Sequence, residues 1–223
     1  MSQIAQHLLQ VKERIVQAAR RVGRGADHIQ LLAVSKTKPL EDIQAAYAAG
    51  QRRFGESYAQ EAALKIDTLR EQAACQDIEW HFIGPLQSNK SRLVAERFDW
   101  VQSVDRDKLI ERLNNQRPVG LAPLNICLQI NISGESSKSG TSEQEIFRLA
   151  ELVSHSERLV LRGLMAIPEH TSDEAVLAAQ MVRMQTLFTE LAQQYPSVDT
   201  LSMGMTEDLE LAIAHGSTRV RVG

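Results

Sequence analysis

The sequence predicts an α/β fold made of one domain, a (β/α)8 TIM barrel, and three observations predict it. About eight short apolar segments alternate with helical ones along 223 residues. Such alternation builds a parallel sheet with helical crossovers, and eight units can close on themselves. After the first strand the chain reads Ser35-Lys36-Thr37-Lys38-Pro39. An open doubly wound sheet, the rival architecture, would place a glycine-rich phosphate loop there. No linker-like stretch divides the chain, so residues 1–223 are expected to form one domain with a leading helix over residues 1–22.

The elements follow in order. Ile4, Leu8, Leu9, Val11, Ile15, Val16 and Ala19 recur at helical spacing, and Gly23 and Gly25 punctuate the end. Residues 29–35 (IQLLAVS) read as a buried strand. Pro39 opens a helix through Ala49 and Gly50 closes it. Residues 53–55 form a strand and 58–71 a helix. Strands at 79–83 and 99–104 are followed by helices at 88–97 and 106–115. Residues 124–132 (LNICLQINI) form the clearest strand, followed by a Ser/Gly-rich loop at 133–140 and a helix at 142–153. The last three strands fall at 159–167, 199–202 and 218–222, with helices at 172–194 and 206–214 between them.

Composition narrows the function classes. The net charge is −3, whereas nucleic-acid binding wants a basic face. The pairs Lys90 with Arg92 and Arg219 with Arg221 read as solvated cations. Cys75 and Cys127 match no zinc spacing, and Cys127 sits in an apolar run. No basic-plus-apolar leader pattern opens the sequence, and no apolar run approaches the roughly 20 residues that span a bilayer. A cytoplasmic protein with reduced thiols is expected.

A barrel carries its site at the C-terminal ends of the strands. The residues there are Lys36, Glu56, Ser57, His81, Gly84, Ser103, Asp105, Asn131, Met165, 202–206, Arg221 and Gly223. Lys36 is the sharpest. Leu32, Val34 and Lys36 share one strand face; facing inward, the ammonium would lose water and its neutral form would be favoured. A neutral amine attacks an aldehyde to form an imine. The bland alternative is a lysine reaching the barrel mouth and pairing with a carboxylate; Lys38 reads as solvated. Ser202-Met203-Gly204-Met205-Thr206 follows strand seven, and loops after strands seven and eight are the usual phosphate cradle. Thr206 at a helix N-terminus suits a dianion or is a plain cap, and Glu207 and Asp208 count against the anion. Arg221, between valines, either serves a ligand or makes a structural ion pair. His81 reads as a core residue, and Asn131 as a ligand contact or a loop brace.

These residues closely resemble one family over essentially the whole chain. LLAVSKTKP around Lys36, FGESYAQE at 54–61, WHFIGPLQSNKSR at 80–92, QINISGESSKSG at 129–140, GLMAIP at 163–168, LSMGMTEDLELAI at 201–213 and GSTRVRVG at 216–223 look like signatures of the pyridoxal-phosphate homeostasis proteins. The resemblance implies an alanine-racemase-type barrel without that enzyme's β-domain. It implies pyridoxal 5′-phosphate (PLP) held as a Schiff base on Lys36, with Arg221 facing the pyridine nitrogen. It implies phosphate on Ser202, Met205, Thr206 and Gly223, and further cofactor contacts from Ser57 and Met165. The implied role is PLP storage and delivery without catalysis and without a metal. The implied partners are PLP and, transiently, apo PLP-enzymes; a monomer with no nucleic-acid or membrane partner is expected. Charge at Lys90 and Arg92 is a candidate docking surface.

Three departures stand out. The family usually has asparagine where this chain has Ser57 and commonly serine where it has Thr206, and members continue past the position of Gly223 with a short phosphate-binding tail. The competing readings are a PLP-dependent racemase or decarboxylase and a Schiff-base aldolase acting on a phosphorylated sugar. An arginine keeps its proton at neutral pH and makes the pyridine ring a poorer electron sink. Tyr47, Tyr58 and Tyr195 offer no obvious second base for a racemase. The aldolase lysines usually lie late in the barrel, whereas Lys36 is on the first strand.

Overall fold

The computed structural model describes residues 2–72, 75–136 and 138–223. Eight parallel strands close into one barrel in sequential order. They are β1 (Gln30–Val34), β2 (Arg53–Glu56), β3 (Glu79–Phe82), β4 (Trp100–Val104), β5 (Leu124–Ile130), β6 (Leu159–Ala166), β7 (Thr200–Ser202) and β8 (Arg219–Val222). The helices are α1 (Gln3–Arg21), α2 (Leu40–Ala48), α3 (Ala59–Glu71), α4 (Ser91–Arg97), α5 (Asp107–Gln116), α6 (Ile146–Ser154), α7 (Glu174–Gln194) and α8 (Leu209–Ala214). Helix α1 precedes the barrel, and α2 to α8 cross between successive strands.

Strand β5 shows how the sequence makes two layers. Leu124, Ile126, Leu128 and Ile130 join the large core between barrel and helices. The alternate residue Cys127 instead packs with Trp100 and Met165 in a small separate cluster. The two faces of one strand therefore carry different chemistry. Helix α1 adds Leu8, Ile15, Ala18 and Ala19 to the outer core, and Ser2 caps it by accepting from the Ala5 N–H at 3.2 Å.

The barrel wall has two irregularities. The β4–β5 pairing shifts between Val101 and Val104, and the β5–β6 pairing shifts between Ile126 and Cys127. At the second shift, Gly163 has φ of 153°, and a Cβ there would lie 1.7 Å from the Thr200 carbonyl oxygen. Only glycine permits this approach of β6 to β7.

The interior is polar at its N-terminal end. Arg219 lies 4.2 Å and Arg162 4.7 Å from the Trp100 ring centroid, while His81 stacks on Trp100 at 5.0 Å. Arg53 pairs with Glu79 at 3.4 Å, Arg162 with Asp199 at 2.5 Å, and Arg219 donates to Gln30. The expectation that Arg219 is a solvated cation is thus wrong. It is 4% exposed, because the alternation that buries Val220 outward turns Arg219 and Arg221 inward. Nε and Nη1 of Arg219 make no hydrogen bond among the described residues. The indole face beneath them supplies a cation–π contact instead.

Several boundaries move. The last crossover helix begins at Leu209, three residues after Thr206. Strand β5 ends at Ile130, and the helix predicted from Ser142 begins as a 3-10 turn over Glu143–Glu145. The predicted loop 133–140 is described except for Ser137, which lies outside the described residues.

Candidate functional site

The strand registers put most of the expected residues at one end of the barrel. Leu32 pairs with Arg221, and Val34 pairs with Gly55. Gly223 therefore follows β8 beside Val34, and its Cβ position lies 3.1 Å from the Val34 Cβ. Lys36 lies two residues past the end of β1, and Ser57 one past β2. Ser202 ends β7, and Met205 and Thr206 follow it. All are at the C-terminal mouth, where loops converge.

Lys36 is exposed, so of the two alternatives the inward-facing one, in which the ammonium loses water, does not hold. The extended backbone stops at Val34, so the two-residue alternation no longer governs Lys36. A turn follows, closed by the Lys38 N–H donating to the Ser35 carbonyl at 3.1 Å, with Thr37 at φ of 62°. Lys38 is exposed as expected.

Arg221 is the most constrained member. It is 4% exposed. Nη1 donates to Ser202 Oγ at 2.8 Å and Nη2 to the Ala166 carbonyl at 2.9 Å. It makes no salt bridge among the described residues, so the structural ion pair is not what holds it. Burial lowers its pKa to about 10. At neutral pH it remains a cation with donor capacity unspent.

Behind Arg221 runs a hydrogen-bonded chain that the sequence did not reveal. Ser202 Oγ donates to Gln102 Oε1 at 2.6 Å, and Gln102 Nε2 lies 3.0 Å from His81 Nδ1. His81 Nε2 lies 2.7 Å from Glu79 Oε1. Burial pulls the imidazole down to about 3, so it is neutral. Nε2–H then donates to Glu79, and Nδ1 accepts from Gln102. Burial would raise Glu79, but the His81 hydrogen bond and the neighbouring arginines bring it to about 2. His81 is a core residue, as expected, and also a link in this chain.

The loop after β7 differs from a simple helix cap. Asp208, not Thr206, precedes α8, and its Oδ1 accepts the Met205 N–H at 2.6 Å. Thr206 is exposed, and its carbonyl accepts from Arg14 Nη2 at 2.9 Å. Met205 is 40% exposed. Met165 is fully buried against Trp100 and Cys127, inside the barrel rather than at its rim. Ser57 packs on Gly84, whose Cβ would lie 2.4 Å from the Ser57 carbonyl oxygen. Asn131 braces its own loop by donating to the Glu135 carbonyl at 2.7 Å. Arg92 is 3.9 Å from Glu96, which offsets part of the charge near Lys90.

A cavity of about 440 Å³ reaches this mouth at Ser35, Lys38, Thr206 and Gly223. Most of it lies outside the barrel wall, under α1 and α2, where Leu8, Val11, Ile43 and Ala46 line it. Lys36, Ser202 and Arg221 are not among its lining residues, so it is a neighbour of the site, not the site itself. No described helix is long and apolar enough to cross a membrane, and no cluster of three metal-ligating side chains occurs among the described residues.

Fold and site together define a lysine-bearing (β/α)8 barrel with a buried arginine at its mouth. The chain belongs to the alanine racemase N-terminal domain family, whose model matches residues 7–223. Relatives named pyridoxal phosphate homeostasis protein occur in Vibrio alginolyticus and Escherichia coli K12. They are 51% and 52% identical over 223 residues, covering all of this chain and 96% and 95% of theirs. A structure of PipY from Synechococcus elongatus with PLP bound is 37% identical, with a TM-score of 0.80, covering 96% of this chain and 97% of that one. Alanine racemase from E. faecalis, 17% identical with a TM-score of 0.68, covers 96% of this chain and 56% of its own, and shares the fold.

Proposed function

We propose that this protein binds pyridoxal 5′-phosphate as a Schiff base on Lys36 and serves PLP homeostasis, storing and delivering the cofactor without turning over a substrate. The donor set suits that ligand. PLP supplies an aldehyde for an amine, a dianionic phosphate and a pyridine nitrogen. Lys36 offers the amine. In this reading Ser202, Met205, Thr206 and Gly223 would hold the phosphate, and Ser57 and Met165 would contact other parts of the cofactor. The Met205 N–H is held by Asp208, so the Thr206 hydroxyl carries more of the phosphate contact than that amide does.

Arg221 carries the reading. It sits buried without a carboxylate partner among the described residues, and its guanidinium stays protonated at neutral pH. Facing a pyridine nitrogen, it donates a hydrogen bond and cannot hand over its proton. A pyridine nitrogen held there would stay unprotonated and the ring would be a weaker electron sink, which disfavours chemistry that needs a strong one. Tyr47 is hydrogen-bonded to Asp77 beside α2 and Tyr195 ends α7, at the opposite end of the barrel from the mouth, while Tyr58 is exposed at the start of α3. The same reading makes the protein a cytoplasmic monomer, one barrel with a leading helix, that meets apo PLP-enzymes transiently.

Borohydride reduction after mixing with PLP, followed by peptide mapping, tests it. One pyridoxyl label on Lys36, absent in Lys36→Ala, is expected, with no amino-acid turnover by the loaded protein. Scattered labelling of surface lysines would overturn the site, and racemisation or decarboxylation of free amino acids would overturn the carrier role.

A further inference from the structure

Thr37 is the one non-glycine residue with positive φ among those described, at 62°. A side chain in this region crowds its own backbone, so something must hold it there. Three side chains converge on its turn. The Lys65 ammonium donates to the Ser35 carbonyl at 2.9 Å, to Glu56 Oε1 at 3.0 Å and to Glu61 Oε1 at 2.5 Å. All three of its protons are therefore engaged. Glu61 Oε1 also accepts the Thr37 N–H at 2.7 Å, and Glu56 Oε1 accepts from Ser35 Oγ at 2.7 Å. The residues on both sides of Lys36 are thus tied to one ammonium.

The cluster is more than a surface ion pair. The Lys65 side chain is 11% exposed and that of Glu56 not at all. Burial pushes the Glu56 carboxyl up, against the pull of Ser35 and Lys65. Burial also works to raise Glu61, but the Lys65 and Thr37 hydrogen bonds outweigh it and hold it low. Docking α3 on the barrel would not by itself need this arrangement, because apolar residues of similar volume often pack as well as a buried ion pair. The contacts to the Ser35 carbonyl and the Thr37 N–H serve the turn instead.

We infer that Lys65, Glu56 and Glu61 are positioning residues for Lys36, clamping its turn with Thr37 left-handed so that the amine is presented at the mouth before any ligand arrives. The inference rests on Lys36 as the PLP-bearing amine. It has a particular signature, because glycine adopts positive φ without help. Lys65→Met should weaken PLP binding about tenfold, equivalent to about 1.4 kcal/mol. Adding Thr37→Gly should recover most of that loss, which a helix-docking role for Lys65 would not allow.

The experiment compares wild type, Lys65→Met and Lys65→Met/Thr37→Gly by PLP titration and by amide hydrogen exchange of the unloaded proteins. Expected are weaker binding and faster Thr37 exchange in Lys65→Met, with binding restored in the double variant. Equal affinity and equal Thr37 protection in Lys65→Met would overturn the clamp, as would a folded double variant that stays weak. Should Lys65→Met not fold, Glu61→Gln and Glu61→Gln/Thr37→Gly make the same comparison, and the same results would support or overturn the clamp. Failure of the PLP reading looks different: wild type itself would carry no label on Lys36, and the exchange measurements would still decide whether the turn is clamped.

Discussion

The two ends of this barrel solve opposite problems with similar residues. At the N-terminal floor, Arg53, Arg162 and Arg219 lie against Glu79, Asp199 and the Trp100 face. Arg53 and Arg162 meet carboxylates there, whereas Arg219 meets Gln30 and the indole face, with its Nε and Nη1 unpaired among the described residues. At the C-terminal mouth, Arg221 is as buried as Arg219 yet meets only a hydroxyl and a carbonyl. Lys36, Met205, Thr206 and Gly223 stand exposed around it. The floor's arginines face carboxylates or an aromatic ring, while the proposed function assigns the mouth's groups to a ligand. Substitutions at the two ends should therefore fail in different assays.

Trp100→Ala gives the largest expected effect, since the indole carries two guanidinium contacts and the His81 stack. A loss of about 3–5 kcal/mol in urea unfolding is expected for truncating such a side chain, with the folded fraction still labelled by PLP on Lys36. Loss of labelling without loss of stability would break the division of the two ends.

The His81 chain offers a smaller, pH-dependent effect. Burial holds His81 neutral down to about 3, whereas the unfolded imidazole takes a proton near 6.5. Its contribution is complete above that pH and drains as pH falls towards 3, by up to about 1.4 kcal/mol per unit. His81→Gln keeps a donor and an acceptor and lacks the titration. Urea midpoints at pH 7.5 and pH 5 should differ less in the variant than in wild type. Glu79, held to about 2, loses its own contribution as pH falls from the unfolded carboxylate range near 4.5, so most of that loss lies below the two pH values compared. An unchanged pH slope in His81→Gln would remove His81 as its source.

The smallest effect belongs to the mouth. Thr206→Val removes one exposed hydroxyl and should leave the melting temperature unchanged, because an exposed substitution rarely shifts stability by more than about 0.5 kcal/mol. PLP affinity should fall by about fivefold, the roughly 1 kcal/mol net worth of one ordinary hydrogen bond. A titration that finds wild-type affinity would take Thr206 out of the phosphate contact.

Much of this was legible in the sequence. The alternation that marks eight strands is hydrophobic periodicity, and β5 obeys it residue by residue. The positions of Lys36, Ser57, Ser202 and Arg221 at one mouth followed from strand order alone. What escaped was set by contacts between distant segments. Lys36 lies past its strand, in a turn whose Thr37 N–H and Ser35 carbonyl bond Glu61 and Lys65 of α3, which read as ordinary helix-surface charges. Gln102 in the run VQSV gave no sign of joining β3 to β7. Helix α8 starts late because Asp208 takes the Met205 N–H, a choice that local propensity does not decide between Thr206 and Asp208.

The two cysteines acquire a meaning here that their packing alone does not suggest. A protein that carries an aldehyde must keep it from every nucleophile except the intended one. Cys127 is fully enclosed inside the barrel, and burial pushes its thiol up to about 12. Since the thiolate is the attacking form, the buried thiol is a poor nucleophile at neutral pH. Cys75 is buried under the outer helices. Sulfur is thereby kept out of competition for the aldehyde, and chemoselectivity at the mouth is left to amines.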